Sequence, residues 1–435
     1  MDMNKKNILT LLLTMISLTS FGQSNDIWTA FWNSDTTLVG FKDKHGEIKI
    51  APRFAGITSA ENFEHIIAAI EEINDTWSNY YLTKSGKKVG KDSLYIFDNG
   101  VDCESEGFIR FRDPKTDKAG MFNRNGNIII PAEYNDLTRV MNGVFVGLKG
   151  AEKKYWDETH AGCEHFSWTG GEEVVVDTLN NVIIENFAYD GNLSFFTMRK
   201  SDIPSSDTIR KSFLAKDGSY YSFVDFEKEF RQWLVNELLI SMTSEKLINN
   251  SYDTITWWSS TDWAKTDRRK FVTDNFPVLR NGLSEILNPQ CDFFISRGWL
   301  NPYMYEGEGL EKYFNNCGEA KDWIYPVMTI IISQKSNEDF LQDHYEFLRT
   351  DNGYKLISVS KINSFKVIGY FFKSKLNESI ERNRQRSGKE CIPEVGIRGT
   401  YNKLEPPDLE EGFDELYYVE IIDGKFEINE WKNEI

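Results

Sequence analysis

Histidine and cysteine are scarce, five of each in 435 residues, and neither is arranged as the familiar catalytic motifs require. No Gly-x-Ser-x-Gly and no His-Glu-x-x-His occurs, which removes the signatures of the commonest serine hydrolases and zinc peptidases. Glu306-Gly307-Glu308-Gly309 lacks the Lys-Ser or Lys-Thr ending of a phosphate loop and carries two anions that repel phosphate. Basic side chains are in deficit, 50 against 67 acidic, for a net charge of −17. Such a surface repels nucleic acid and anionic lipid. Long apolar runs are missing beyond the first twenty residues: the best later stretch, Val327 to Ser333, is strand-sized, so no stable membrane span is expected.

The cysteines, Cys103, Cys163, Cys291, Cys317 and Cys391, are too few and too scattered for a disulfide scaffold. One bridge is permissible, and Cys291 with Cys317 is the candidate, being the only pair close in sequence within one apparent domain. The N-terminus explains why a bridge is permissible at all. Lys5-Lys6 precede an uncharged apolar run from Ile8 to Leu18, followed by Ser20-Phe21-Gly22 and Gln23, the three-part grammar of a signal peptide. Residues 1–22 are therefore expected to be removed after Gly22, with the mature protein periplasmic or secreted. Removal takes two lysines and one aspartate, leaving a net charge of −18.

What the chain has in quantity is aromatic residues, 14%, with 12 Trp, 19 Tyr and 30 Phe, which favour pleated sheets filled by flat side chains. Gly40 to Phe54, GFKDKHGEIKIAPRF, lies over Gly120 to Tyr134, GMFNRNGNIIIPAEY, without a gap, and Tyr80 to Leu94 falls halfway between. The period is 40. Each copy reads as a hairpin whose turn ends in Gly46, Gly86 or Gly126, and Pro52 or Pro131 is expected to end the pairing because proline cannot donate to the ladder. Weaker copies surround Val174 to Ile184 and Phe213 to Tyr220, separated by insertions, notably 151–170. Units this small cannot bury an apolar face alone, so residues 23–225 should form one stacked β array of hairpins.

The pattern Gly-Phe-x-Asp-x-x-Gly-x-Ile-x-Ile-x-Pro-x-Phe at 40–54 resembles the WG-repeat family, with Val39 and Ala119 in place of the usual tryptophan before the glycine. That family occurs in many bacterial proteins of poorly defined role. The resemblance covers the first half of the chain and implies a β scaffold with no shared active site, so it carries over no catalytic residue.

From Phe226 the apolar period changes to about 3.6, with Phe226, Phe230, Trp233, Leu234 and Leu238 on one face. A second helix is expected from Asp267 to Leu287. Strands follow at Val327 to Ser333, His344 to Arg349 and Tyr354 to Val359, the last two joined through Asn352-Gly353. Helices before a strand meander imply an α+β domain with a curved antiparallel sheet over 226–375, loosely similar in element order to the cystatin or nuclear-transport-factor type. Residues 376–435 read as a charged linker and a closing hairpin, Tyr417 to Ile428.

Two constellations remain. His160, Cys163 and His165, in WDETHAGCEH, are competent transition-metal ligands at a spacing that matches no established motif, against the plainer reading of a solvated insertion loop. Trp257, Trp258 and Trp263 are a candidate ligand platform for sugar rings or a partner's apolar surface, although tryptophan at this density is more often core. Nothing calls for a cofactor. The expected function is a non-catalytic exported binding or scaffold protein with a protein or glycan partner in the cell envelope. The alternative is an envelope or secreted hydrolase with an acid-based site in the C-terminal domain.

Overall fold

The computed structural model describes residues 26–431 except 57, 59, 98–99, 156–165, 260–261, 306, 308, 335–340, 361–367, 373–374, 387–390, 402–405, 408–414 and 423–424. The fold is mainly β, 48% strand and 16% helix, and includes an antiparallel sheet curled into a half-barrel. The expected signal peptide and the candidate metal ligands His160, Cys163 and His165 lie outside the described residues. The chain divides into two units. One comprises the residues up to Tyr252 with Phe293–Ile331 and Tyr345–Ser358; the other comprises Asp253–Asp292, Ile332–His344 and Val359–Ile435.

The first unit begins with four larger antiparallel sheets, between which lie two-stranded sheets of Ile96–Phe97 with Gly100–Val101 and of Glu152–Tyr155 with Phe166–Thr169. A seven-stranded sheet holds the strands from Trp28–Trp32 to Lys88–Val89; three strands follow at Phe108–Arg112, Ala119–Asn123 and Ile128–Tyr134. The third sheet joins Asp136–Leu137, Val144–Lys149, Glu172–Asp177 and Val182–Ile184, and the fourth joins Leu193–Ser201, Tyr220–Asp225 and Arg210–Leu214. Alternation along single strands shows why these sheets stack. Ile67, Ala69, Tyr80 and Leu82 enter one core, while their neighbours Ile66, Ala68 and Tyr81 enter the next, with Ile109, Phe111 and Phe122 of the second sheet. Phe145, Val174 and Val176 pack towards Met121 and Ile130; Val144, Val146 and Val175 pack towards Leu193, Phe195 and Phe223 of the fourth sheet. Since strand side chains alternate faces, each inner sheet is buried on both.

One turn recurs through this region. Gly46 donates to Asp43 O while Asp43 N donates to Glu47 O, and the same pair of bonds closes Thr83–Lys87, Asn123–Asn127, Asp177–Asn181 and Ala215–Ser219. The residue at the fourth place has positive φ each time: +83° at Gly46, +87° at Gly86, +66° at Gly126, +66° at Asn180 and +83° at Gly218. In three of the five turns the first residue is Asp or Asn, and its side-chain oxygen accepts two further backbone N–H groups, as Asn123 does from Asn125 and Asn127, both at 3.0 Å. Asn123→Ala is expected to cost about 1 kcal/mol, since both bonds are solvent-exposed. The check is a lower urea midpoint at unchanged slope.

The prolines behave differently from expectation. Pairing does not end at Pro52 or Pro131: Val39 pairs with Phe54 and Phe41 with Ile50, so Ala51, Pro52 and Arg53 bulge opposite Gly40 alone. Ala119 with Tyr134 and Met121 with Ile130 repeat the arrangement, with Pro131 in the bulge opposite Gly120. A bulge is where a strand tolerates a residue without a donor.

Helix Phe226–Trp233 forms as its period implies, capped by Asp225, whose carboxylate accepts from Lys228 N, with Phe226, Phe230 and Trp233 buried. The expected domain boundary at Phe226, however, is not where the chain divides. Phe230 and Trp233 pack on Phe347 and Tyr354, and Arg349 makes a two-point ion pair with Glu229, which also accepts from the Tyr354 hydroxyl at 2.8 Å. This helix and the hairpin carrying those residues belong to the first unit. A change of periodicity marks a change of element, and tertiary packing decides the unit.

In the second unit, Asp267 caps helix Arg268–Glu285, close to the expected 267–287. Strand Ile368–Phe372 runs parallel to Glu415–Ile422, which pairs antiparallel with Lys425–Glu430 as the expected closing hairpin. The stretch read as a linker contains helices Leu376–Arg384 and Glu394–Tyr401. Glu394 and Arg398 pair four residues apart in the second, a spacing that supports a helix even where the sequence is highly charged.

Candidate functional site

A cleft of about 920 Å³ opens in the first unit. Its walls come from the second and third sheets, the loop Asn186–Tyr189, the hairpin strand Phe166–Thr169, and Arg297, Asp322 and Trp323 from the later part of the chain. The two-residue strand Asp136–Leu137 edges the third sheet, and so short an edge leaves side chains beside it without a further strand to cover them.

The floor is rigid. Tyr95, 3% exposed, donates its hydroxyl to Asp136, and the Arg110 guanidinium lies 4.2 Å over its ring. Arg110 donates to Asp102 and, at 3.0 Å, to Leu137 O. Burial works against the Arg110 charge, but the Asp102 carboxylate outweighs it and holds the guanidinium protonated. Burial likewise pushes the Tyr95 and Tyr189 phenols up, so both are neutral donors at physiological pH.

Around the rim, each further cation has its own acid. Arg139 donates to Glu319 at 3.1 Å and lies 4.4 Å over the Trp323 ring; Arg297 donates to Asp322 at 2.6 Å. Glu172 accepts from Asn186 N and Glu173 from Tyr189 N, pinning the loop that presents Tyr189. Trp168 packs edge-on against Phe166 at 5.2 Å. Among the described residues no serine, cysteine, histidine or lysine lines the cleft, and the one hydroxyl of the Ser/Thr type among them, Thr138, is bonded to Arg139 O and Val146 N. The described residues of the cleft therefore offer aromatic surface and hydrogen-bonding groups.

The tryptophan candidates are split. Trp258 and Trp263 face each other across a hairpin at 5.5 Å, while Trp257 bonds Thr266 through its indole N–H at 3.0 Å and packs 6.0 Å from Phe271. Adjacent residues on a strand point to opposite faces, so the three do not form one platform. The disulfide candidate is corrected: Cys317 bonds Cys103, and Cys291 is a free thiol, as is Cys391.

Beside that bridge Glu64, His65 and Glu104 bring one ligand atom each within 4.8 Å of one another. Glu104 is already engaged: one oxygen meets His65 Nδ1 at 2.6 Å and the other accepts from His65 N and Ile66 N, both at 3.0 Å. Burial raises its pKa. The arrangement is a clasp between the start of strand Ile66–Ile73 and the Cys103 segment. Among acids of the alternative hydrolase region, burial raises the pKa of Glu346, which bonds Ser358, and Glu229 is held by Arg349; neither lines the cleft.

Sequence reasoning missed the cleft because its parts are far apart in the chain. Trp168 lies in the insertion 151–170, and Arg297 and Trp323 lie in the second half of the chain. Compared with family models, with curated proteins and with solved structures, the chain matches none.

Proposed function

We propose that the protein is a non-catalytic binding protein, exported to the periplasm or secreted, in which a diverged WG-type β-repeat array of period 40 holds a ligand cleft. The observation that carries this reading is the cleft itself: at about 920 Å³ it reaches the upper part of the 300–1,000 Å³ range usual for small-ligand sites. Arg110, Arg139, Arg297, Glu172 and Glu173 each already make a hydrogen bond within the protein, which lowers the cost of ordering on binding. The Cys103–Cys317 bridge supports export, since such a bond persists in oxidising compartments.

The test has two arms. Full-length chain produced in a secreting bacterium should be recovered outside the cytoplasm with Gln23 as its first residue by N-terminal sequencing; intact Met1 on cytosolic protein overturns the localisation. A thermal-shift screen of the purified chain against chemically diverse small molecules should give saturable stabilisation that Trp168→Ala abolishes. A shift of equal size in that variant overturns the cleft as the site.

A further inference from the structure

We infer that the cleft takes a neutral oligosaccharide built of pyranose rings, an inference that rests on the binding-cleft reading above and narrows it. The first argument is charge. Three guanidinium groups line the cleft, and all three are answered within the protein, Arg110 by Asp102, Arg139 by Glu319 and Arg297 by Asp322. Among the described residues an anionic ligand finds no uncompensated cation here and meets the carboxylates of Asp136, Glu172 and Glu173 on the same walls. Nucleotides and acidic sugars are disfavoured on that ground.

The second argument is polarity. An apolar ligand such as a fatty acid would strip water from Asn186, Arg139, Arg297 and the carboxylates without replacing its hydrogen bonds, at a cost for every group left unanswered. The cleft also has aromatic surface that a small polar solute would waste: Trp168 and Trp323 are partly exposed, Tyr189 is 42% exposed and Phe97 75% exposed. A pyranose fits both demands. Its ring carries an apolar face of C–H groups for stacking on aromatics, and hydroxyls around its edge that donate to carboxylates and accept from guanidinium and amide N–H.

The experiment is isothermal titration of the full chain with neutral hexasaccharides, the β-1,4-linked glucan, mannan and xylan and the α-1,4-linked glucan, alongside hexagalacturonate, laurate and ADP. At least one neutral hexasaccharide should bind. Trp168→Ala and Tyr189→Ala should each weaken it by about tenfold or more, the loss expected from a desolvated stacking contact, while Trp168→Phe restores most of the affinity. Trp77→Ala, an exposed ring in the first sheet away from the cleft, should bind as the parent does, and unchanged melting temperatures separate lost contact from lost fold. If only hexagalacturonate, laurate or ADP binds and the cleft variants abolish it, the sugar inference fails while the binding cleft stands. If a neutral sugar binds equally well to parent, Trp168→Ala and Tyr189→Ala, the cleft reading fails with it. Absence of binding by every neutral hexasaccharide at millimolar concentration overturns the inference.

Discussion

Replacing Cys317 with serine is expected to lower the stability of the protein by about 5 kcal/mol, because the bond it removes closes a loop of 214 residues. In the chain-entropy account a cross-link acts on the unfolded ensemble, and the effect grows with the logarithm of loop length. Few links in a chain this size span more. Folded domains are stable by roughly 5–15 kcal/mol in total, so loss of this bond removes a large share. The neighbourhood shows why the partner is Cys103 and not the nearer Cys291. Asn316 O accepts from Glu61 N and Asn62 N at 2.8 and 2.9 Å, and its amide donates to Glu64 at 3.1 Å, which lays the segment around Cys317 along the first sheet. Urea unfolding should show Cys103→Ser and Cys317→Ser equally destabilised and the double variant no worse than either. Cys291→Ser and Cys391→Ser should stay near the parent. Destabilisation by Cys291→Ser matching that by Cys317→Ser would restore the pairing read from sequence proximity.

That contrast measures how far local reasoning reaches. The hairpin turns at Gly46, Gly86 and Gly126 were legible because a positive φ is a local demand that glycine meets. The helix from Phe226 was legible because its buried face is written into a spacing of three and four residues. Long-range choices were not legible. Glu229 and Arg349 are 120 residues apart, and His65 and Glu104 are 39 apart; nothing in either neighbourhood names the other. The cleft belongs to this second kind. Its tryptophans and arginines become a site only because stacked sheets and a returning segment set them side by side. The Trp257, Trp258 and Trp263 cluster shows the converse, since closeness in sequence on a strand places neighbours on opposite faces.

The glycines at 40 and 120 make a demand of another kind, and it leads to the second large effect. Gly120→Ala is expected to cost about 3 kcal/mol, although Gly120 has no positive φ and alanine is ordinarily a better strand residue than glycine. A methyl group there would lie 2.5 Å from Ile130 O and 2.9 Å from both Ala132 N and a Phe111 ring carbon. Two of those three are backbone atoms of the proline bulge, which cannot swing aside as a side chain can. A methyl group at Gly40 would lie 2.5 Å from Ile50 O and 2.6 Å from Pro52 N in the equivalent bulge, so Gly40→Ala should behave alike. Two other glycines separate crowding from backbone preference. Gly143 has φ +74° and open space around it, so alanine there should cost about 1 kcal/mol from the left-handed conformation alone. Gly399 lies in helix Glu394–Tyr401 with nothing within 4 Å, and alanine should add about 0.5–1 kcal/mol of stability to that helix. Chemical denaturation of the four variants should therefore rank Gly399 above Gly143, and Gly143 above Gly40 and Gly120. If Gly120→Ala unfolds no earlier than Gly143→Ala, the bulge is not the reason for glycine at that position. The consequence for the site is direct: Gly120 pairs with Phe111 and Met121 with Arg110, so a displaced Gly120 strand shifts the strand that carries Arg110. A ligand held in the cleft should then bind less tightly to Gly120→Ala than to Gly40→Ala, even where both variants remain folded.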